Sequence, residues 1–151
     1  MFDLFKKKPN PSEMFADGDW CISHGEYDGN PIIVRFNAVL KPFVGKTDYN
    51  LKIGFAVPLN EPNQGSMPSA NENKRLLEIE DRIMEVLREK VAVVQALAIT
   101  MGTFKEFVFY AKPDIDVKGA HEQLLAEIKS HRLQCIADIE EHWDTYMEWA
   151  A

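Results

Sequence analysis

Between residues 51 and 139 the chain passes from an alternating pattern to a helical one and back, twice, and that order leaves few folds open. Leu51, Ile53, Phe55 and Val57 alternate with Lys52, Gly54 and Ala56, the period of a strand buried on one face. A turn-rich stretch follows, with Asn60, Pro62, Asn63, Gly65, Ser66 and Pro68. Ser69 and Glu72 then have capping-box spacing, in which each side chain satisfies the other's backbone N–H. Leu76, Ile79, Ile83, Val86 and Leu87 recur at helical spacing, and Glu78 and Arg82 are placed to pair on the wet side. Residues 91–100 are almost continuously apolar and β-branched, as expected of a buried strand. Met101-Gly102 predicts a turn, with glycine supplying a positive φ, before a return strand over 104–111. Asp114 or Asp116 can cap a second helix bearing Val117, Ala120, Leu124, Leu125 and Ile128, and Leu133, Cys135, Ala137 and Ile139 alternate in a last strand.

Upstream, Trp20-Cys21-Ile22-Ser23 and Pro31-Ile32-Ile33-Val34-Arg35-Phe36-Asn37 bracket the turn formers of 25–30 and read as a hairpin. The whole order is β-β-β-α-β-β-α-β, and its last six elements are the split unit of ferredoxin-like folds. The expected fold is thus α+β: an antiparallel sheet with two helices on one face, the last strand pairing beside 51–57. The leading hairpin either extends the sheet or caps an edge. Residues 1–17 are expected to be a flexible tail and 18–151 a single domain.

Charge narrows the functional classes. With 24 acidic residues against 17 basic, the net charge of −7 argues against general nucleic-acid binding, which needs clustered cations. No apolar run approaches the ~20 residues that span a bilayer. Lys6, Lys7 and Lys8 beside Phe2, Leu4 and Phe5 can touch an anionic membrane surface, although a frayed tail explains them as well. Cys21 and Cys135 are too few for a disulfide framework or a structural zinc site, so reduced thiols and a cytoplasmic setting are expected.

No catalytic constellation stands out. His24, His121, His131 and His142 lack ligand spacing, and neither His24 with Glu26 and Asp28 nor Glu140, Glu141, His142 and Asp144 makes a convincing metal set. No metal or cofactor is expected. Gly65-Ser66-Met67-Pro68 before a helix can cradle an anion, but capping by Ser69 accounts for it equally. Tyr110, Trp143, Tyr146 and Trp149 can form an aromatic pocket, or close the open end of the core. Beyond Arg132 there is no Lys or Arg, while Asp138, Glu140, Glu141, Asp144 and Glu148 accumulate, an acidic surface suited to a basic partner.

Trp20, Pro31, Asn37, Gly65-x-x-Pro68, Leu76, Glu80, Thr100-x-Gly102, Phe109-Tyr110 and the ending Trp143-Asp144-x-Tyr146 together resemble a bacterial family of uncharacterised proteins, over about residues 18–147. That family is distantly similar to the ribonuclease E inhibitor protein B family, small acidic ferredoxin-like regulators that bind a nuclease. The resemblance implies a binding role and transfers no catalytic residue. The expectation is a cytoplasmic binding or regulatory module acting through protein contacts, on a sheet face bare of helices and on the acidic ending. The residues for partner or ligand are Tyr110, Glu140, Glu141, Trp143, Asp144 and Tyr146. The competing class is a small-ligand protein or enzyme with a pocket around Tyr110, Trp143 and Tyr146, using Glu80 or Asp144 as acid or base. A homodimer through the sheets is a third option.

Overall fold

A computed structural model describes residues 11–15 and 18–150. The expected tail lies outside the described residues, lysines included, apart from a short 3-10 turn at Pro11–Phe15 that buries Met14. The ordered elements are β1 (Trp20–Tyr27), β2 (Asn30–Asn37), β3 (Leu51–Pro58), α1 (Ala70–Lys90), β4 (Val93–Thr100), β5 (Phe104–Ala111), α2 (Val117–Glu127), β6 (Gln134–Ile139) and α3 (Asp144–Ala150). A further 3-10 segment occupies Ala38–Phe43. The six strands form one antiparallel sheet in the order β1-β2-β4-β5-β3-β6.

β3 is an inner strand, one in from the β6 edge, paired with β5 on one side and β6 on the other, so that Ile53 faces both Phe109 and Ala137. α1 carries the chain from β3 to β4, and α2 from β5 to β6. The leading hairpin extends the sheet, with β2 pairing β4. Asp28 and Gly29 both take positive φ at its tip, 52° and 78°, which gives the tight turn that matches strand twist.

The α1 stripe behaves as its spacing requires. Leu76, Ile79, Ile83, Val86 and Leu87 are fully buried against Ile53, Phe55, Phe107 and Phe109, joined by Ala120 and Leu124 of α2. Each such side chain contributes about 1.5–3 kcal/mol of burial. The surface ion pairs differ from the expected Glu78–Arg82 pair. Arg75 meets Glu78 at 3.0 Å, while Arg82 meets Glu85 at 3.0 Å and Glu127 of α2 at 2.7 Å. Arg82 thus fastens the two helices together. Asp116 caps α2, accepting from the Gly119 N–H at 2.9 Å.

Two expectations are corrected. The second face of the sheet is not bare: Ile32, Val34, Leu97, Ile99 and Val108 pack there against Leu40, Phe43, Trp143 and Tyr146, a second core under the 3-10 segments and α3. β4 feeds both cores by alternation, Val93 and Ala98 on one face and Val94 and Ile99 on the other, with a register shift between Gln95 and Leu97. Gly102 is also needed for a reason other than positive φ. A Cβ there would collide with the carbonyls of Asn63 and Ser66, because the 60–68 loop folds onto the β4–β5 turn, with Asn63 N–H donating to Gly102 O at 2.7 Å. No helix of the described residues is long and apolar enough to cross a membrane.

Candidate binding groove beside helix α1

Two buried positions of α1 are acidic, Glu72 in its first turn and Glu80 in the middle of the apolar stripe. Glu80 lies on the buried side with Leu76 and Ile83, and it is 5% exposed. A carboxylate so placed must be paired. Arg35 of β2 supplies the pair, its Nη2 donating to Oε1 at 2.9 Å and Oε2 at 2.8 Å, and Gln95 Nε2 of β4 donates to Oε2 as well. The Arg35 guanidinium also sits 5.0 Å from the centre of the Trp20 ring on β1, within cation–π range.

This bridge exists because the hairpin carries the sheet out past α1. Between α1 and β1–β2 the helical face therefore forms a groove, floored by β4, and Arg35–Glu80 divides it. The wider lobe, about 420 Å³, is lined by Met14, Trp20, Met84 and Val93, with buried Glu80 at its base and Asp81 and Glu85 on its rim beside Arg88. The narrower lobe, about 290 Å³, is lined by Ile22, Ile33, Leu77, Met67 and Lys105, with Arg35 at its base. Ile22 and Leu77 are large apolar side chains left 64% and 44% exposed. Trp20, Asn37 and Glu80, which also carry the family resemblance, all border the wider lobe.

The aromatic residues singled out from the sequence lie on the other side of the sheet. Tyr110, Trp143 and Tyr146 are fully buried. The Trp143 ring stacks on Tyr110 at 4.5 Å and meets Tyr146 edge-on at 5.8 Å. Trp143 Nε1 donates to Tyr49 O at 2.8 Å, and the Tyr146 hydroxyl to Asn37 O at 2.7 Å. The Tyr110 hydroxyl donates to Glu140 Oε1 at 2.8 Å and accepts from Tyr146 N–H. Burial pushes both tyrosine pKa values up, Tyr110 further because of Glu140. Glu140 is also held by the Thr145 hydroxyl at 2.7 Å, the Thr145 N–H and Lys52 at 3.5 Å. Burial alone would raise its pKa, but these donors outweigh it and hold the carboxyl below its usual value. Glu141 and Asp144 are exposed, and Glu80 belongs to the opposite face.

A third polar cluster ties loops to the start of α1. Ser69 Oγ accepts the Glu72 N–H, but the Glu72 carboxylate does not return the bond. It accepts instead from the N–H groups of Asn60 and Glu61, at 2.8 and 3.0 Å, and meets His131 Nε2 at 2.6 Å. The other ring nitrogen of His131 is 3.1 Å from Ser130 Oγ, to which Arg75 Nε donates at 2.8 Å. Burial would raise the Glu72 pKa, yet the His131 and backbone bonds bring it below normal.

Among the described residues no group of three or more His, Cys, Asp or Glu is gathered as a metal site. Cys21 and Cys135 are free thiols on the two outer strands, β1 and β6, too far apart in the sheet order to bridge. Burial raises the Cys135 pKa to about 11. Ile136 and Ile139 of β6 are 63% and 55% exposed beside the open strand edge, where a homodimer built through the sheets would pair.

Sequence reasoning had Glu80 but not its partners, and missed Lys105. Both carried a signal. Glu80 is an acid inside an apolar helical stripe, and Lys105 shares the inward phase of Phe107 and Phe109.

Residues 18–150 match the family model described as a family of unknown function (DUF695), and the chain belongs to that family. No curated protein matches the chain. No solved structure matches it either.

Proposed function

We propose that this member of the DUF695 family is a binding or regulatory module that acts through protein contacts, and that the groove beside α1 is its contact surface. The observation that carries the reading is the Arg35–Glu80 bridge, a buried charge pair set in the floor of an otherwise open groove. Met84 and Trp20 line the wider lobe with apolar surface over the buried Met14, and Asp81 and Glu85 give it an acidic rim. That combination suits a basic segment studded with large apolar side chains, and the net charge of −7 would steer it in. We read β3 to β6 with their helices as a ferredoxin-like unit, supported by β3 lying between β5 and β6, and the hairpin as the addition that creates the groove. Free thiols at Cys21 and Cys135 suit a reducing, cytoplasmic compartment. The distant similarity to small acidic nuclease regulators agrees with a protein partner.

Peptide display on the immobilised protein tests this reading. Selected peptides should be rich in Lys, Arg and apolar residues, and should lose binding when Asp81 and Glu85, both exposed, are replaced together by Lys. Selection of acidic peptides, or binding that survives this charge reversal, would refute it. Glu141→Lys with Asp144→Lys is the matched control for the acidic ending.

A second reading, acyl transfer, is favoured by one observation: Ser130, His131 and Glu72 are linked hydroxyl to imidazole to carboxylate. It requires Ser130 to be labelled by a fluorophosphonate in wild type and not in His131→Ala. Absence of label in wild type removes it.

A further inference from the structure

Lys105 is 4% exposed, yet among the described residues no carboxylate lies within ion-pair distance of it. Among the described residues its one hydrogen bond is a long one, 3.4 Å to Asn73 Oδ1 on α1, and the Phe107 ring is 5.7 Å away. An ammonium has three donors, so this one is undersupplied in a place that excludes most water. Burial depresses its pKa, Glu80 opposes the shift and Arg35 reinforces it. Glu80 is not that partner: its carboxylate is engaged by Arg35 and Gln95, and among the described residues no hydrogen bond or ion pair joins it to Lys105.

Lys105 lines the narrower lobe together with Thr100, Arg35 and Asn73, the residue its Nζ contacts. The walls, Ile22, Ile33, Leu77 and Met67, are apolar. A pocket of this size with apolar walls and a few polar groups is the usual form of a small-molecule site. Its charge sets the ligand. Arg35 is neutralised by Glu80, which leaves the single charge of Lys105 to be matched.

We propose that the narrower lobe binds a small organic monocarboxylate with an apolar body, its carboxylate on Lys105 and its hydrocarbon part between Ile22, Ile33 and Leu77. This site stands apart from the wider lobe, across the Arg35–Glu80 bridge. Dianions such as inorganic phosphate are disfavoured, because Glu80 lies close behind.

Calorimetric titration of the full chain with hexanoate, hexanol and inorganic phosphate tests the assignment. Hexanoate should bind wild type at least about tenfold tighter than hexanol, a difference of ~1.4 kcal/mol, and phosphate should not compete. Lys105→Met keeps the stem and removes the charge. It should fold with an unchanged or higher Tm and bind hexanoate no better than hexanol. Ile22→Asn, at an exposed position, should weaken hexanoate while leaving Tm unchanged. Three results would each overturn the proposal: no hexanoate binding to wild type at concentrations on the order of 10 mM, equal affinity for hexanoate and hexanol, or undiminished hexanoate binding by Lys105→Met. None of these bears on selected peptides in the wider lobe, so the two readings fall separately.

Discussion

Arg35 of β2 closes on Glu80 of α1 at 2.8 Å, an ion pair that ties the hairpin half of the sheet to the helix. Arg35 remains 30% exposed at its side chain while Glu80 is 7% exposed, so the pair is dry on one side and wet on the other. It shapes the groove by joining its walls at a single point, which leaves open lobes to either side.

Removing one partner should therefore cost more than removing both. Glu80→Ala strands Arg35 and the Gln95 amide, with an expected loss of about 3 kcal/mol, the low end for a broken buried pair because Arg35 keeps some solvent. Arg35→Met with Glu80→Met should recover much of that stability. Denaturant unfolding of Glu80→Ala, Arg35→Met, Glu80→Met and the double variant measures it. Additive losses would show that the pair is not coupled.

Trp143→Ala should destabilise the fold by roughly 3–5 kcal/mol. The ring is fully buried, stacked on Tyr110 and anchored by its N–H to Tyr49 O. Thermal and denaturant melts check this. A melt matching wild type would mean that Trp143 serves a ligand and not the packing.

Much of the strand and helix order could be read because β3 and α1 carry clean periods of two and 3.6. The second core was harder to see. Residues 91–100 announced a buried strand, but what covers the far face is a six-residue 3-10 segment containing Pro42 and a seven-residue helix. Both are too short to show a period. Trp143 lies outside α3 with a positive φ of 52°, so its burial depends on backbone geometry that spacing alone cannot give. The groove was hidden for a different reason. Arg35 and Glu80 lie 45 residues apart, and their meeting follows from the hairpin joining the sheet at β4, one of two dockings the sequence left open.

Acid should weaken the protein through Glu72 and Glu140. Both have folded pKa values below the ordinary 4.5, so their stabilising contributions are complete above that pH and are lost as pH falls below it. Glu106 acts in the opposite sense. Burial raises its pKa against the pull of Lys52, and its contribution turns unfavourable as pH climbs above 4.5. Stability measured against pH should show a shallower acid limb in Glu72→Gln and Glu140→Gln, and Glu106→Gln should be more stable than wild type near neutral pH. An acid limb unchanged by both of the first two substitutions would contradict the assignment.

The claim that the groove is the contact surface meets its most direct test in an NMR footprint of a display-selected peptide on the labelled protein. Met14, Met84 and Trp20 line the wider lobe, whereas Met147 and Trp149 belong to α3 at the acidic ending. The account predicts that the Met14 and Met84 methyl signals and the Trp20 indole N–H shift on binding, while Met147 and Trp149 stay in place. Shifts at Met147 and Trp149 with a silent Trp20 would contradict it and move the contact surface to the C-terminal helix.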